Sequence, residues 1–459
     1  MIRQFIGRIL GRGPASQNAS RQATVYKGSE LGIDPGQISR AAQQTCDGLH
    51  QAGFKAFIVG GGVRDLLANL KPKDFDVATD ATPDEVVKLF RRARIIGRRF
   101  RIVHVIFGRE VIEVTTFRGA QENAETDDHG RVLRDNVWGD HVQDAMRRDF
   151  TVNALYYDPI ADQVVDYHDG VRDMRKKKLR MIGDPETRYR EDPVRMLRVV
   201  RFAAKLGFDI EANTKKPLTE LAPLISNVPQ ARLFEEILKL LLSGSSIACL
   251  HELRAAGLHQ GLLPLLDVIL EQPDGERFVT EALKRTDERI AAGKGVSPGF
   301  LFGTLLWQQV NERWQQAQTA GEHRIPALMA AIDSVLDEQA KKLAIQKRFT
   351  SDMREIWSLQ PRFERRNGQA PFRLFEHMRF RAAYDFLLLR CDTGEVPAEL
   401  GKWWTDFQEC TAEQRRDMVA NAPTSGPKRR NRSRRSRNSN SASSRTSGNG
   451  APAADTSTG

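Results

Sequence analysis

Between residues 54 and 167 the chain repeatedly alternates apolar and polar positions. FKAFIVG (54–60), DFDVAT (74–79), RIVHVIFG (101–108), EVIEVTTFR (110–118) and DQVVDY (162–167) carry the β-branched and aromatic residues of half-buried strands. Helical signals fall between them. Thr82, Pro83, Asp84 and Glu85 supply an N-cap, a proline at the first helical position and an acid at the third, ahead of VVKLFRRA. After Gly207 the apolar spacing becomes helical almost throughout, as in 232–242, 300–317, 325–343 and 380–390. The pattern predicts an α+β protein, a small α/β head followed by an all-helical remainder, with no internal repeat.

The two ends read differently. From residue 421 the chain is Ser-, Asn-, Gly-, Pro- and Arg-rich, which predicts a disordered tail because too little apolar surface exists to offset the entropy of ordering. The tail holds eight basic residues and one acid, so +7 of the total +11 sits there and +4 on the first 420 residues. Its run Arg429, Arg430, Arg432, Arg434, Arg435 and Arg437 suits RNA phosphates or another polyanion; a solubilising role is the plain alternative. At the other end Arg3, Arg8, Arg12, Arg21 and Lys27 precede the first acid, and Ile2, Phe5, Ile6, Ile9 and Leu10 share one helical face. Such a helix can touch anionic lipid, act as a transit peptide, or fray and dock on the body; the sequence leaves these open.

The expected division is a flexible basic segment 1–35, a head 36–180, a helical neck 181–275 binding base and RNA, a helical body 276–420 and the tail 421–459. No run of eighteen apolar residues occurs, which excludes a membrane-spanning helix. Cys46, Cys249, Cys391 and Cys410 are too scattered for a zinc site or disulfide framework and read as free thiols in a reducing cytoplasm. The tryptophans Trp307, Trp314, Trp403 and Trp404 sit at helical spacing among apolar residues and read as core.

The chemistry concentrates in 57–86. A strand runs into Gly60, Gly61 and Gly62, which lack Cβ atoms and let backbone amides approach a phosphate, with Arg64 just beyond as a charge partner. Asp74 and Asp76, at i and i+2 in a strand, point to one face. Such a like-charged pair is commonly stabilised by a divalent cation, here Mg²⁺ bridging a nucleotide triphosphate. Two-metal phosphoryl transfer asks for a third carboxylate. Glu113, between Ile112 and Val114, is preferred over Glu110 nearer the turn. In RRDFTVNA, Arg147 and Arg148 can pair with the triphosphate, Arg147 being the weaker candidate, while Asp149 and Asn153, four apart on a helical face, can bond the ribose or base. His168–Asp169 spells the start of a metal phosphohydrolase motif, but no companion histidines accompany it and the segment reads as a turn.

GGGVRD with DFDVAT, then RRDFTVNALYYD (147–158), then EDPVRMLRVVRFAAKLGF (191–208) occur in this order. The sequence thereby resembles class II nucleotidyltransferases of the DNA polymerase β superfamily, the group that contains tRNA CCA-adding enzymes and bacterial poly(A) polymerases. The resemblance is strong over 50–245. It implies a nucleotidyltransferase head with a polymerase β-like sheet, a neck holding the incoming base, helical regions holding RNA, two Mg²⁺ ions, and ATP as substrate. It also implies Asp192 and Arg195 as readers of the base edge and Arg198 as a phosphate or structural contact; an i, i+3 ion pair stapling a helix is the plain alternative. IIGRRFRIVHVIF (95–107), with Arg98, Arg99 and Arg101 as RNA-binding candidates, resembles the stretch that separates the poly(A) branch from the CCA-adding one. FRAAYDFLLLR, KWWTDFQ and the arginine tail point the same way. The implied activity is template-independent addition of AMP to the 3′ hydroxyl of single-stranded RNA, in polyadenylation and turnover. CCA addition and an idle RNA-binding protein are the alternatives, and no motif specifies a partner among RNA-decay proteins.

Overall fold

The computed structural model describes residues 22–97, 101–119, 125–126, 132–134, 137–259, 273–341 and 343–422. The head is an eight-stranded sheet in the order β1-β10-β9-β2-β3-β6-β5-β4. Its strands are β1 (Thr24–Lys27), β2 (Ala56–Val59), β3 (Asp76–Thr79), β4 (Ala93–Ile96), β5 (Ile102–Phe107), β6 (Glu110–Thr116), β9 (Leu155–Asp158) and β10 (Gln163–Asp166); β7 (Glu125–Thr126) and β8 (Val132–Arg134) form a separate short pair. Every pairing in the main sheet is antiparallel except β3 with β6. That parallel pair is made by a crossover through α3 (Pro83–Leu89), β4 and β5.

The expected capping box is present: the Thr82 side chain accepts from Glu85 N and the Glu85 carboxylate reaches back to Thr82 N at 2.8 Å. Helix α1 (Arg40–Gln51) is capped by Ser39 and buries Ala42, Cys46 and Leu49. Together with Ile58, Val77, Ile112 and Val114 these residues belong to the main core. Alternation along the strands turns Val59, Ala78 and Tyr156 to the other face, where they join Phe117 and Ala145 of α4 (His141–Arg147) in a smaller cluster.

The main core continues through α7 (Val194–Leu206) into the helices Gln230–Leu241, Ser246–Ala255, Pro273–Ala291, Pro298–Thr319, Arg324–Ala340 and Lys347–Leu359. A second cluster ties Phe363 and Leu374 to Phe380–Asp392 and Ala398–Glu409. Trp307, Trp314 and Trp404 are buried as expected, and Trp404 Nε1 donates to the Phe363 carbonyl at 2.8 Å. Trp403, half-buried, stacks on Phe407.

One boundary is corrected. The segment 1–35, expected to be flexible, contains β1, which pairs with β10 at the sheet edge, because TVYK supplies backbone and β-propensity that the charge pattern hides. Residues 1–21 and 423–459, including the expected amphipathic helix and arginine tail, lie outside the described residues. No described helix is long and apolar enough to cross a membrane.

Candidate active site

Register assembles the acids. In the parallel pairing Asp76 lies opposite Glu113, and Val59 of β2 lies opposite Asp76 on its other side. Asp74 precedes the strand instead of lying in it; Phe75 between the two aspartates is buried, so both carboxylates still stand on the side away from it. Ile112 and Val114 are buried in the opposite layer, which leaves Glu113 on the Asp76 side. Across from Glu113 in register, His104 brings Nε2 to 3.5 Å from its carboxylate.

The electrostatics follow from this crowding. Partial burial at the strand start, then the Glu113 and Asp74 charges, push the Asp76 carboxyl up to about 6, with Arg148 opposing. Among the described residues no three His, Cys, Asp or Glu side chains close into a metal cage. An open set of mutually repelling carboxylates nevertheless fits Mg²⁺, which typically takes one or two protein carboxylates and fills its shell with water and substrate phosphates. A pH-dependent affinity is expected, because the cation competes with the proton Asp76 holds below pH about 6. Mg²⁺ binding to the nucleotide-free protein, titrated calorimetrically, should be full near pH 8 and weaken by up to about tenfold per unit below pH 6. Equal affinities at pH 5 and pH 8 would remove Asp76 from the ligand set.

Beside the acids, β2 enters α2 (Gly61–Leu67) through Gly60 at φ +66°, a backbone that side chains rarely adopt. A β-carbon on Gly60 would lie 3.3 Å from Arg148 Nη1, and one on Gly62 would lie 3.1 Å from the Phe75 ring. The glycines therefore let the turn close down on its surroundings. Arg148 caps the C-terminal end of α4 and brings Nη1 to Gly60, while Arg64 Nη2 lies near Gly61. Arg64, expected as a charge partner of the phosphate, is buried, at 4% exposure. Its guanidinium is spent on Asp65, on Asn153 Oδ1 at 2.7 Å and on the Phe202 ring, which makes it a strut between the glycine turn and the neck.

Asp149 and Asn153 do meet, with Asn153 Nδ2 donating at 3.0 Å, but not on an α-helix: α4 has ended, Phe150 is extended, and a 3₁₀ turn carries Thr151–Asn153. Arg198 Nη2 lies 2.6 Å from Asp149. Burial alone would raise the Asp149 carboxyl, but Arg198 and Asn153 hold it down to about 2. Asp192 stands just ahead of α7 with extended backbone. The helix-stapling pair with Arg195 is absent: Asp192 Oδ2 accepts from Arg232 at 2.7 Å, and Arg195 bonds Glu191 and the Arg188 carbonyl. Asp192 Oδ1 is buried without a partner, a polar atom available to a ligand.

Arg101 pairs with Asp84 at 3.1 Å, whereas Arg98, Arg99 and the tail arginines lie outside the described residues. Arg147 donates to the Gly119 carbonyl at 2.9 Å. The His168–Asp169 pair forms a turn, with Asp166 accepting from the amides of His168, Gly170 and Val171. Sequence reasoning missed Asp144, Tyr156, Arg188 and Arg232. Only Asp144, four residues before Arg148, carried a local signal. A concavity of about 1420 Å³, lined by Met146, Arg172, Arg180, Arg188, Glu211 and Lys216 among others, holds none of the three acids.

Acids on and just ahead of two paired strands, beside a glycine turn and followed by a helical neck, belong to a nucleotidyltransferase, and solved structures share the fold. The Bacillus stearothermophilus CCA-adding enzyme in complex with CTP superposes with a TM-score of 0.53 at 24% identity, over 83% of each chain. At the sequence level, residues 56–180 match the poly A polymerase head domain, 207–270 the probable RNA and SrmB-binding site of polymerase A, and 320–438 the polymerase A arginine-rich C-terminus. Poly(A) polymerase I of Salmonella typhi is 44% identical over 449 residues, 94% of this chain and 97% of the relative; that of Haemophilus influenzae is 42% identical over 426 residues, 90% and 94%. The CCA-adding enzyme of Bacillus licheniformis is 36% identical over only 219 residues, 48% of this chain and 54% of the relative. The chain belongs to the poly(A) polymerase I family.

Proposed function

We propose that this protein is a template-independent polymerase that transfers AMP from ATP to the 3′ hydroxyl of RNA and releases pyrophosphate. The chemistry rests on one observation, the register that sets Asp76 against Glu113 with Asp74 two residues upstream and the glycine turn close by. The choice of branch rests on relatedness, which spans nearly the whole chain for the poly(A) polymerases and about half of it for the CCA-adding enzyme.

Asp74 and Asp76, with Glu113, would hold two Mg²⁺ ions, which when bound activate the attacking hydroxyl and neutralise the leaving pyrophosphate. The remaining work falls to the protein. Amides of Gly60, Gly61 and Gly62 and the Arg148 guanidinium receive the triphosphate. Asp192, through its unpartnered Oδ1, and Arg195 meet the adenine edge. Asp149 and Asn153 lie toward the ribose, with Arg198 keeping Asp149 ionised and oriented. Arg98, Arg99, Arg101 and the tail arginines Arg429, Arg430, Arg432, Arg434, Arg435 and Arg437 hold single-stranded RNA by its phosphates, which suits varied 3′ ends. The scattered cysteine spacing, with no disulfide or zinc pattern, supports a reducing cytoplasm as its compartment.

The test is an extension assay with Mg²⁺ that offers each of the four nucleotides to an unstructured RNA oligomer and to a tRNA lacking its CCA end. ATP alone should give a long ladder on the oligomer. Addition of two or three residues that requires CTP and is confined to the tRNA would instead assign CCA addition.

A further inference from the structure

Arg148 brings a guanidinium nitrogen to Gly60 at the glycine turn, yet it stands among groups that should draw it elsewhere. Its charge is felt by Asp76, whose neighbours Asp74 and Glu113 are also anionic. A free guanidinium there would collapse onto the carboxylates and occupy the place of a metal ion. Two buried groups prevent this. Asp144, on the same helix one turn earlier, accepts from Arg148 Nη2 at 3.1 Å. The Tyr156 hydroxyl accepts from Arg148 Nε at 2.9 Å and donates to the same Asp144 oxygen at 2.6 Å. The guanidinium also lies over the Tyr156 ring, 4.9 Å from its centroid.

Each partner is itself fixed. Asp144 Oδ1 accepts from the Arg118 amide at 3.2 Å. Although burial would raise its carboxyl, Arg148 and Tyr156 hold it below the usual range. Tyr156 is fully buried on β9, opposite Val59, which is in turn opposite Asp76. Its hydroxyl therefore has a set position relative to the catalytic strand, two strands or about 10 Å across the sheet. His141 packs edge-on against its ring at 4.2 Å. With Nε and Nη2 engaged, the remaining nitrogen, Nη1, lies beside Gly60 and, among the described residues, donates weakly to the Asn153 carbonyl at 3.5 Å.

We propose that Asp144 and Tyr156 are positioning residues for the triphosphate, clamping two edges of Arg148 so that Nη1 stays at the glycine turn and off the catalytic carboxylates. The inference rests on the polymerase reading above. It requires that the two residues act only through Arg148, since both are buried.

The experiment is a set of cycles in the full-length protein with Asp144→Asn, Tyr156→Phe and Arg148→Ala. Its readouts are pyrophosphate and AMP binding by calorimetry in Mg²⁺, the KM for ATP, and RNA affinity. Asp144→Asn and Tyr156→Phe should each weaken pyrophosphate binding and raise the ATP KM by about five- to twentyfold, the effect of a lost charge-assisted bond, while AMP and RNA binding stay unchanged. In the Arg148→Ala background neither change should add a further loss. Should Asp144→Asn fail to fold, Tyr156→Phe keeps the buried ring and removes only the hydroxyl. Wild-type pyrophosphate affinity in the variants, equal losses for AMP, or losses that multiply in the Arg148→Ala background would overturn the clamp. Absence of adenylate addition by the unaltered protein would instead overturn the polymerase reading.

Discussion

Replacing Asp76 by asparagine is expected to lower AMP addition by about three orders of magnitude or more, because a metal-ligating charge is lost while size and shape are kept. RNA affinity should be unchanged, since the phosphate contacts proposed for RNA are arginines and do not include Asp76. The same substitution carries a second signature. The Asp76 carboxyl is raised to about 6, so its ionisation at neutral pH opposes folding of the metal-free protein. Removing the charge relieves repulsion with Glu113 and Asp74, and the melting temperature without Mg²⁺ should rise. Activity falling while stability rises separates a lost functional group from a damaged fold. Single-turnover extension, filter binding to an RNA oligomer and a thermal melt in chelator give the three readings; surviving activity would show that Asp76 does not hold the metal.

Arg198→Met should have the largest effect on stability among the site residues. Asp149 is nearly buried and is held down to about 2 chiefly by Arg198, whose Nε and Nη2 both bond it. Removing that partner strands a carboxylate in a poorly solvated place, which typically costs about 3–5 kcal/mol. Arg198 also lies 3.9 Å from buried Glu236, which keeps Arg201 and Lys239 as partners, so the main loss is at Asp149. The pH dependence has a definite sign. A depressed carboxyl pKa contributes stability above the unfolded value, near 4, and loses it as pH falls toward 2. Urea midpoints of wild type and variant should differ most at neutral pH and converge as pH falls to about 2, the stranded carboxyl of the variant protonating first. Equal midpoints at pH 7 would show that Asn153 and the Phe150 amide suffice to hold Asp149.

Several features were legible in the sequence because each is a matter of local chemistry. Alternation marked five strands, Thr82 to Glu85 marked a capped helix, and the helical spacing after Gly207 marked the neck and body. The glycines were readable as a place where backbone comes close to a partner, and at Gly60 the positive φ favours glycine. β4 and β9 were missed: ARII is short and charged, and LYYD is embedded in a motif that suggested a helix. Asp149 and Asn153 meet as their spacing implied, but a 3₁₀ turn after an extended Phe150 brings them together.

Local chemistry thus supplies an inventory: most strands and helices in order, a run of glycines, three acids and a set of arginines. How that inventory is used follows from long-range packing. Whether Glu113 belongs with Asp76 depends on a parallel pairing made through a crossover, and a slip of one residue would have turned Glu113 to the other face. Of the arginines near the turn, Arg64 is buried as a strut while Arg148 faces the site, a distinction set by Asp65, Asn153, Asp144 and Tyr156. Asp192 reaches past Arg195 to Arg232 for the same reason. Local periodicity is written within a few residues, whereas the partner a charge finds is set by packing between segments far apart in the chain.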